Sequence, residues 1–186
     1  MDRKAAARAI DEFLLALGRD PAREPELRGT GARVAEAFAT ELCQGYDVDV
    51  LALLRDASIP SEASGVVALR DVALATTCPH HLMPGIGTAT IGYAPKGAIL
   101  GVGALARLLE AFARRLTLQE AIGDGAVTAL ASALRPRWVA CRIEMTHTCM
   151  AARGERLHGA RLVTFAVHAE DEAARAEATA FIRSER

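Results

Sequence analysis

The tightest constraint on the fold is the order in which the hydrophobic period changes along the chain. Residues 103–118 place Leu105, Leu108, Leu109, Phe112 and Leu116 at helical spacing, and residues 119–134 continue with Ile122, Val127 and Leu130. Gly123 and Gly125 weaken that second helix, and Pro136 ends it. On either side the period drops to two. Residues 66–77 are rich in Val, Leu and Thr, and residues 86–93 alternate. In residues 137–149 Val139, Cys141, Ile143 and Met145 face one way, with Arg142 and Glu144 facing the other. Residues 162–168 predict a fourth strand and residues 170–183 a closing helix. Two hairpins around a helix pair predict an α+β fold, an antiparallel four-stranded sheet with helices on one face. Its open edges would be residues 66–77 and 162–168, and oligomerisation is one way to protect them.

The first quarter of the chain is different. Residues 3–18 predict a helix with Gly18 as its stop, and residues 19–30, with two prolines and a charge cluster, a connector. Thr30 is the expected cap of a second helix over residues 32–44, which carries Val34, Phe38 and Leu42 on one face and ends at Gly45. A short helical turn is expected at residues 50–54 and a loop from Pro60. The expected division is an N-terminal helical extension, 1–45, and a main domain, 46–186.

A chain of 186 residues can bury a core without disulfides, and 51% apolar with 24% charged residues excludes extensive disorder. With 22 basic and 23 acidic side chains, the net charge of −1 gives no pull toward nucleic acid or anionic membrane. The longest apolar stretch, residues 97–113, is broken by Arg107 and Glu110, so no membrane span is expected. No apolar signal segment follows Met1-Asp2-Arg3-Lys4, which makes a cytoplasmic location the expectation. In that compartment the four cysteines are thiols or metal ligands rather than a disulfide framework.

Two distant segments concentrate the soft ligands. Cys78-Pro79-His80-His81 and Thr146-His147-Thr148-Cys149-Met150 hold two of four cysteines and three of five histidines. Cys78 and His81, three apart, can reach one ion from a turn. If residues 137–149 are extended throughout, His147 and Cys149 point to one face. Cys78, His81 and Cys149 would make a three-ligand site with an open fourth position, leaving His80 and His147 free to move protons. The plainer alternative is buried thiols beside satisfied imidazoles. Cys141 reads as core, Cys43 as a structural residue at a helix end, and His158 and His168 as surface residues.

Four motifs in order resemble GTP cyclohydrolase I: Cys78-Pro-His-His, Gly101-Val-Gly-Ala-Leu-Ala-Arg107, Arg115-Leu-Thr-Leu-Gln119-Glu120, and His147-Thr-Cys-Met150-Ala-Ala-Arg153-Gly154. The resemblance covers residues 30–167. It implies a tunnelling fold (T-fold), closed by subunits into a homodecamer of two pentamers with active sites between subunits. It implies Zn2+ on Cys78, His81 and Cys149, His147 as acid/base with His80 in support, and Glu120 on the guanine edge, with Gln119 as a neighbouring candidate. Arg33, Arg107 and Arg153 would meet the triphosphate. The implied reaction opens the imidazole ring of GTP to give dihydroneopterin triphosphate and formate for pterin and folate synthesis.

The chain departs from the pattern at Pro79, where the family usually has Glu, and at Gly103-Ala104, where it usually has Ser-Lys. Loss of that lysine opens an alternative, the same ring opening on a nucleoside, monophosphate, free base or 8-oxopurine. A third reading is a non-catalytic T-fold protein that keeps its zinc. Structural zinc sites usually close with four protein ligands, which argues against it.

Overall fold

The computed structural model describes residues 1–184. The chain divides into two compact units, the first being Met1–Gln44 and the second starting at Gly45.

In the first unit, helix α1 (Arg3–Ala16) starts at Asp2, whose side chain accepts from the Ala5 N–H at 2.9 Å. Helix α2 (Thr30–Ala37) packs on it so closely that a Cβ on Gly31 would lie 2.3 Å from the Ala7 carbonyl oxygen. Thr30 is not the cap. Gly29 enters the helix in the left-handed conformation, φ +74°, which places Thr30 in the first turn. There its hydroxyl accepts from Arg33 Nη2 at 3.0 Å. The helix expected over residues 32–44 also breaks into two, because the chain widens into a π turn over Phe38–Leu42.

The second unit opens with α3 (Val50–Asp56), capped by the Asp49 side chain. A two-stranded ribbon of β1 (Ser58–Pro60) and β4 (Ala98–Leu100) lies where the sequence predicts no strand, its first strand ending at the Pro60 expected to open a loop. The main sheet is built from β2 (Val67–Thr77), β3 (Pro84–Ala94), β5 (Trp138–His147) and β6 (Leu162–Ala169), in the order β2-β3-β5-β6 with every pair antiparallel. Between β4 and β5 run α4 (Val102–Ala113) and α5 (Gln119–Leu134). This is the architecture expected from the alternation of periods.

The core forms between this helix pair and one sheet face. Leu105, Leu108, Leu109, Ile122 and Leu130 meet Leu74, Ile91, Val139, Cys141, Ile143 and Met145, all essentially buried. At about 1.5–3 kcal/mol per buried large aliphatic side chain, this contact dominates the fold. Gly123 and Gly125 weaken α5 as a helix but let it pack. A Cβ on Gly125 would stand 2.5 Å from the Phe112 ring.

The opposite face is covered at one end by the closing helix α7 (Glu172–Ser184). Its Ala174, Ala178 and Ile182 sit on Ala94, Trp138 and Ala140. Glu177 accepts from Arg137 Nη2 at 2.8 Å and from the Trp138 indole at 3.2 Å, and Arg137 first, then Trp138, holds its carboxyl below the usual range. Among the described residues, no helix is long and apolar enough to cross a membrane.

Candidate metal centre and active site

Sheet register builds the site. The turn joining β2 to β3 begins at Cys78, and β5 ends at His147, directly opposite Gly85 of β3. The two ligand-bearing segments, almost seventy positions apart, are thereby brought to one end of the sheet. The turn is closed by hydrogen bonds from Cys78 N to Met83 O and from Leu82 N to Cys78 O. Past His147 the chain winds into a helical turn, α6 (Thr148–Ala151), pinned by the Thr148 hydroxyl donating to Pro84 O at 2.7 Å. The strand expected to run through Cys149 therefore stops two residues early. Cys149 reaches the site from a helical turn, not from the same strand face as His147.

The ligand atoms of Cys78, His81 and Cys149 all lie within 4.8 Å of one another. A tetrahedral ion with metal–sulfur distances of about 2.3 Å and metal–nitrogen distances of about 2.0 Å separates its donors by about 3.5–3.8 Å. The three donors already lie within about an ångström of that spacing, and two sulfurs with an imidazole are metal-ligand chemistry, so the donor set fits a metal ion. Burial, and then the adjacent Cys78, pushes the Cys149 thiol up. A bound cation would reverse this for Cys149 by taking its sulfur as a thiolate. Two sulfurs and an imidazole suit zinc.

Around the donors stand other groups. His80 is exposed, with Nδ1 3.9 Å from Cys78 Sγ. Arg153, just past α6, places Nη1 3.0 Å from His81 Nε2. The segment before α5 is tied to the end of β2 by Thr117 N donating to Thr77 O, so the start of α5 adjoins the site. Glu120 lies in that first turn, exposed, and its charge acts on His147. Burial lowers the His147 imidazole below its ordinary value, and Glu120 partly offsets this.

Gln119 was expected beside the substrate, but its side chain is turned inward. It is 1% exposed, donates to Ile143 O, Leu162 O and Thr164 Oγ1, and meets His147 Nε2 at 2.8 Å through Oε1. Arg107 is exposed on α4. Arg33 belongs to the first unit, where Nη1 donates to Arg28 O. Cys141 is core as expected, its thiol pushed up to about 12 by burial, and His158 and His168 are exposed.

Comparison with known proteins identifies the family. The family model for GTP cyclohydrolase I matches residues 6–185. GTP cyclohydrolase 1 of Corynebacterium aurimucosum is 40% identical over 188 residues, covering 98% of this chain and 94% of the relative. The Streptomyces griseus enzyme is 40% identical over 97% of this chain and 90% of the relative, and that of Thermobifida fusca 39% over 100% and 91%. This chain belongs to the GTP cyclohydrolase I family. It is a cyclohydrolase with the tunnelling fold of that family.

Membership sharpens what sequence reasoning missed. The contact between Gln119 and His147 has no sequence signature, because it joins the start of α5 to the end of β5 across 28 positions. Where the family usually has Ser-Lys, Ala104 is buried and Gly103 has open space around its Cα.

Proposed function

We propose that this chain opens the imidazole ring of GTP with water, releasing formate and giving 7,8-dihydroneopterin triphosphate for pterin and tetrahydrofolate synthesis. The observation that carries this reading is the convergence of Cys78, His81 and Cys149 beside His147 and Glu120, in a chain of this family. Cys78, His81 and Cys149 would hold zinc, which when bound supplies a Lewis acid that activates water for attack at C8. Glu120 accepts the parallel N1–H and 2-amino hydrogens of guanine, a pairing a carboxylate matches with its two oxygens. His147, kept neutral by burial, starts as a base and returns its proton to the ring nitrogen as the C8–N bond breaks. His80, at the open rim, supports these transfers. Arg33, Arg107 and Arg153 offer guanidinium forks to the triphosphate. In this reading residues 1–45 are an extension to a catalytic domain over 46–186. The working unit is a cytoplasmic decamer of two pentamers, with sites between subunits.

One observation favours a second reading. With Ala104 buried and Gly103 bare, no cation stands where the family usually has lysine. Loss of one charge-assisted phosphate contact weakens binding by about 1.5–3 kcal/mol. A purine without the triphosphate, ring-opened by the same chemistry, would not need it.

Zinc-loaded protein incubated separately with GTP, GMP, guanosine, guanine and 8-oxopurines, with products read by mass spectrometry, separates the two. Dihydroneopterin triphosphate and formate from GTP support the first reading. Turnover confined to compounds without a triphosphate replaces it with the second, and no product from any of them removes both. In the active protein, Cys149→Ala is expected to lose zinc and turnover together. His147→Ala is expected to keep its zinc and lose at least about a hundredfold in kcat, the ordinary scale of acid–base catalysis. Full zinc occupancy in Cys149→Ala would remove Cys149 from the ligand set.

A further inference from the structure

The inward-turned amide of Gln119 carries chemical information. Its Nε2 lies 3.0 Å from Ile143 O, 3.0 Å from Leu162 O and 3.1 Å from Thr164 Oγ1. Backbone carbonyls only accept, so the group facing two of them has to be the NH2. Reversing the amide would set its oxygen against both carbonyl oxygens in a site with no solvent to relieve the repulsion. The orientation of Gln119 is therefore decided by β5 and β6, independently of His147. Its Oε1 faces His147 Nε2 at 2.8 Å, and an amide oxygen can only accept. Nε2 must bring the hydrogen. A neutral imidazole has one N–H, so Nδ1 carries the lone pair.

On the other side of the ring stands Gly85, paired with His147 across the β3–β5 seam. A Cβ on Gly85 would lie 2.9 Å from His147 Nδ1 and 3.0 Å from Cε1. The bare glycine leaves room for the ring in this orientation, and a side chain there would push it away.

We propose that Gln119 is a positioning residue, which fixes His147 as the Nε2–H tautomer so that Nδ1 is the nitrogen exchanging protons with the substrate. This rests on the reading of His147 as the acid/base. In the ring opening, the water oxygen bonds to C8 as the C8=N7 π pair moves onto N7, and one water proton passes through Nδ1 to N7. The C8–N9 bond then breaks with its electron pair on N9, and the remaining hydroxyl proton passes through Nδ1 to N9 as C8 becomes a formyl carbonyl. The Nε2 proton stays on Nε2, donated to Gln119 Oε1 throughout, so the imidazole ends in the tautomer in which it began. A free histidine ring in water already favours Nε2–H, but it leaves an appreciable fraction as Nδ1–H. Holding one tautomer removes the fraction of rings that present N–H where a base is needed.

The test is a magic-angle-spinning 15N spectrum of the zinc-loaded full chain carrying 15N-labelled histidine, recorded at alkaline pH where the ring is neutral. The His147 signals are assigned by their loss in His147→Ala. The expected result is a protonated Nε2 and an unprotonated Nδ1. The opposite tautomer in the unmodified protein overturns the proposal. This readout needs no turnover, so it stands apart from the substrate question. If GTP is not a substrate, the functional reading falls and the tautomer assignment does not.

The second arm is Gln119→Met, checked for zinc content and for an unchanged circular dichroism spectrum. Its His147 spectrum is expected to become a mixture of tautomers. The kcat on GTP is expected to fall at least about tenfold with KM within about twofold, the pattern of a misplaced catalytic group rather than a lost binding contact. A raised KM with unchanged kcat would return Gln119 to substrate binding and overturn the proposal. If Gln119→Met does not fold, the tautomer in the unmodified protein decides alone.

Discussion

At the residue scale, what distinguishes the site is that its groups differ in environment rather than in type. Cys78 and Cys141 are both buried thiols, yet one begins the turn after β2 beside two imidazoles and the other belongs to the hydrophobic core. His147 and His80 are both imidazoles beside the donor set, yet only His147 is half buried and gripped by a second side chain. Burial lowers His147, and the Glu120 carboxylate raises it. Removing that carboxylate takes away the group that favours the imidazolium, so the ring should titrate lower still. Glu120→Gln is therefore expected to move the His147 midpoint down from its value in the unmodified protein, both already below the ordinary imidazole value of about 6.5. Proton NMR of the histidine ring C–H signals across a pH series reads this directly, without depending on catalysis. An upward move would mean that Glu120 is not the charge His147 feels.

At the scale of elements, the β3–β5 seam positions the site, and its closeness comes from Gly87 as much as from Gly85. A Cβ on Gly87 would fall 1.9 Å from the Glu144 carbonyl oxygen and 2.7 Å from the Met145 Cα, both backbone atoms in the central strand. No rotamer relieves that contact. Gly87→Ala is expected to cost about 3 kcal/mol or more, seen as a large drop in the urea midpoint, whereas Gly103→Ala, with open space around it, should change stability by less than about 0.5 kcal/mol. Equal midpoints would mean the seam is looser than it stands here. The same elements explain what was legible in the sequence. Long periodic runs, as in α4, α5 and β5, announce themselves because core burial repeats along them. The ribbon of β1 and β4 does not, since three-residue strands are too short to show a period. The end of β5 was misread for a related reason. Thr-His-Thr-Cys is a strand-compatible sequence, and only the anchor of Thr148 on Pro84, a tertiary contact, turns it into a helical turn at Cys149. The ligands were readable from their chemistry, and the hydrogen bond that orients His147 was not.

At the scale of the whole molecule, the sheet in one chain is unfinished. Among the described residues, neither β2 nor β6 has a second neighbour in the sheet, and β6 presents the exposed apolar side chains Leu162 and Phe165. An open, apolar edge is a pairing surface, and proteins that do not use such an edge usually blunt it with charge or proline. The other edge, β2, runs straight into Cys78. A second copy adding a strand along β2 would come alongside the candidate metal site, and assembly and catalysis would then share a boundary. Replacing Leu162 and Phe165 together by lysine puts two charges on the β6 edge at positions already exposed, with little effect expected on the fold of one chain. The mass measured by light scattering is expected to fall to smaller species, and turnover of GTP to fall with it. Bound zinc should persist, because the three residues proposed to hold it, Cys78, His81 and Cys149, come from one chain. Full turnover by dissociated chains would mean that one copy completes its own site. Unchanged mass would mean that the chains associate through other surfaces and leave the β6 edge free.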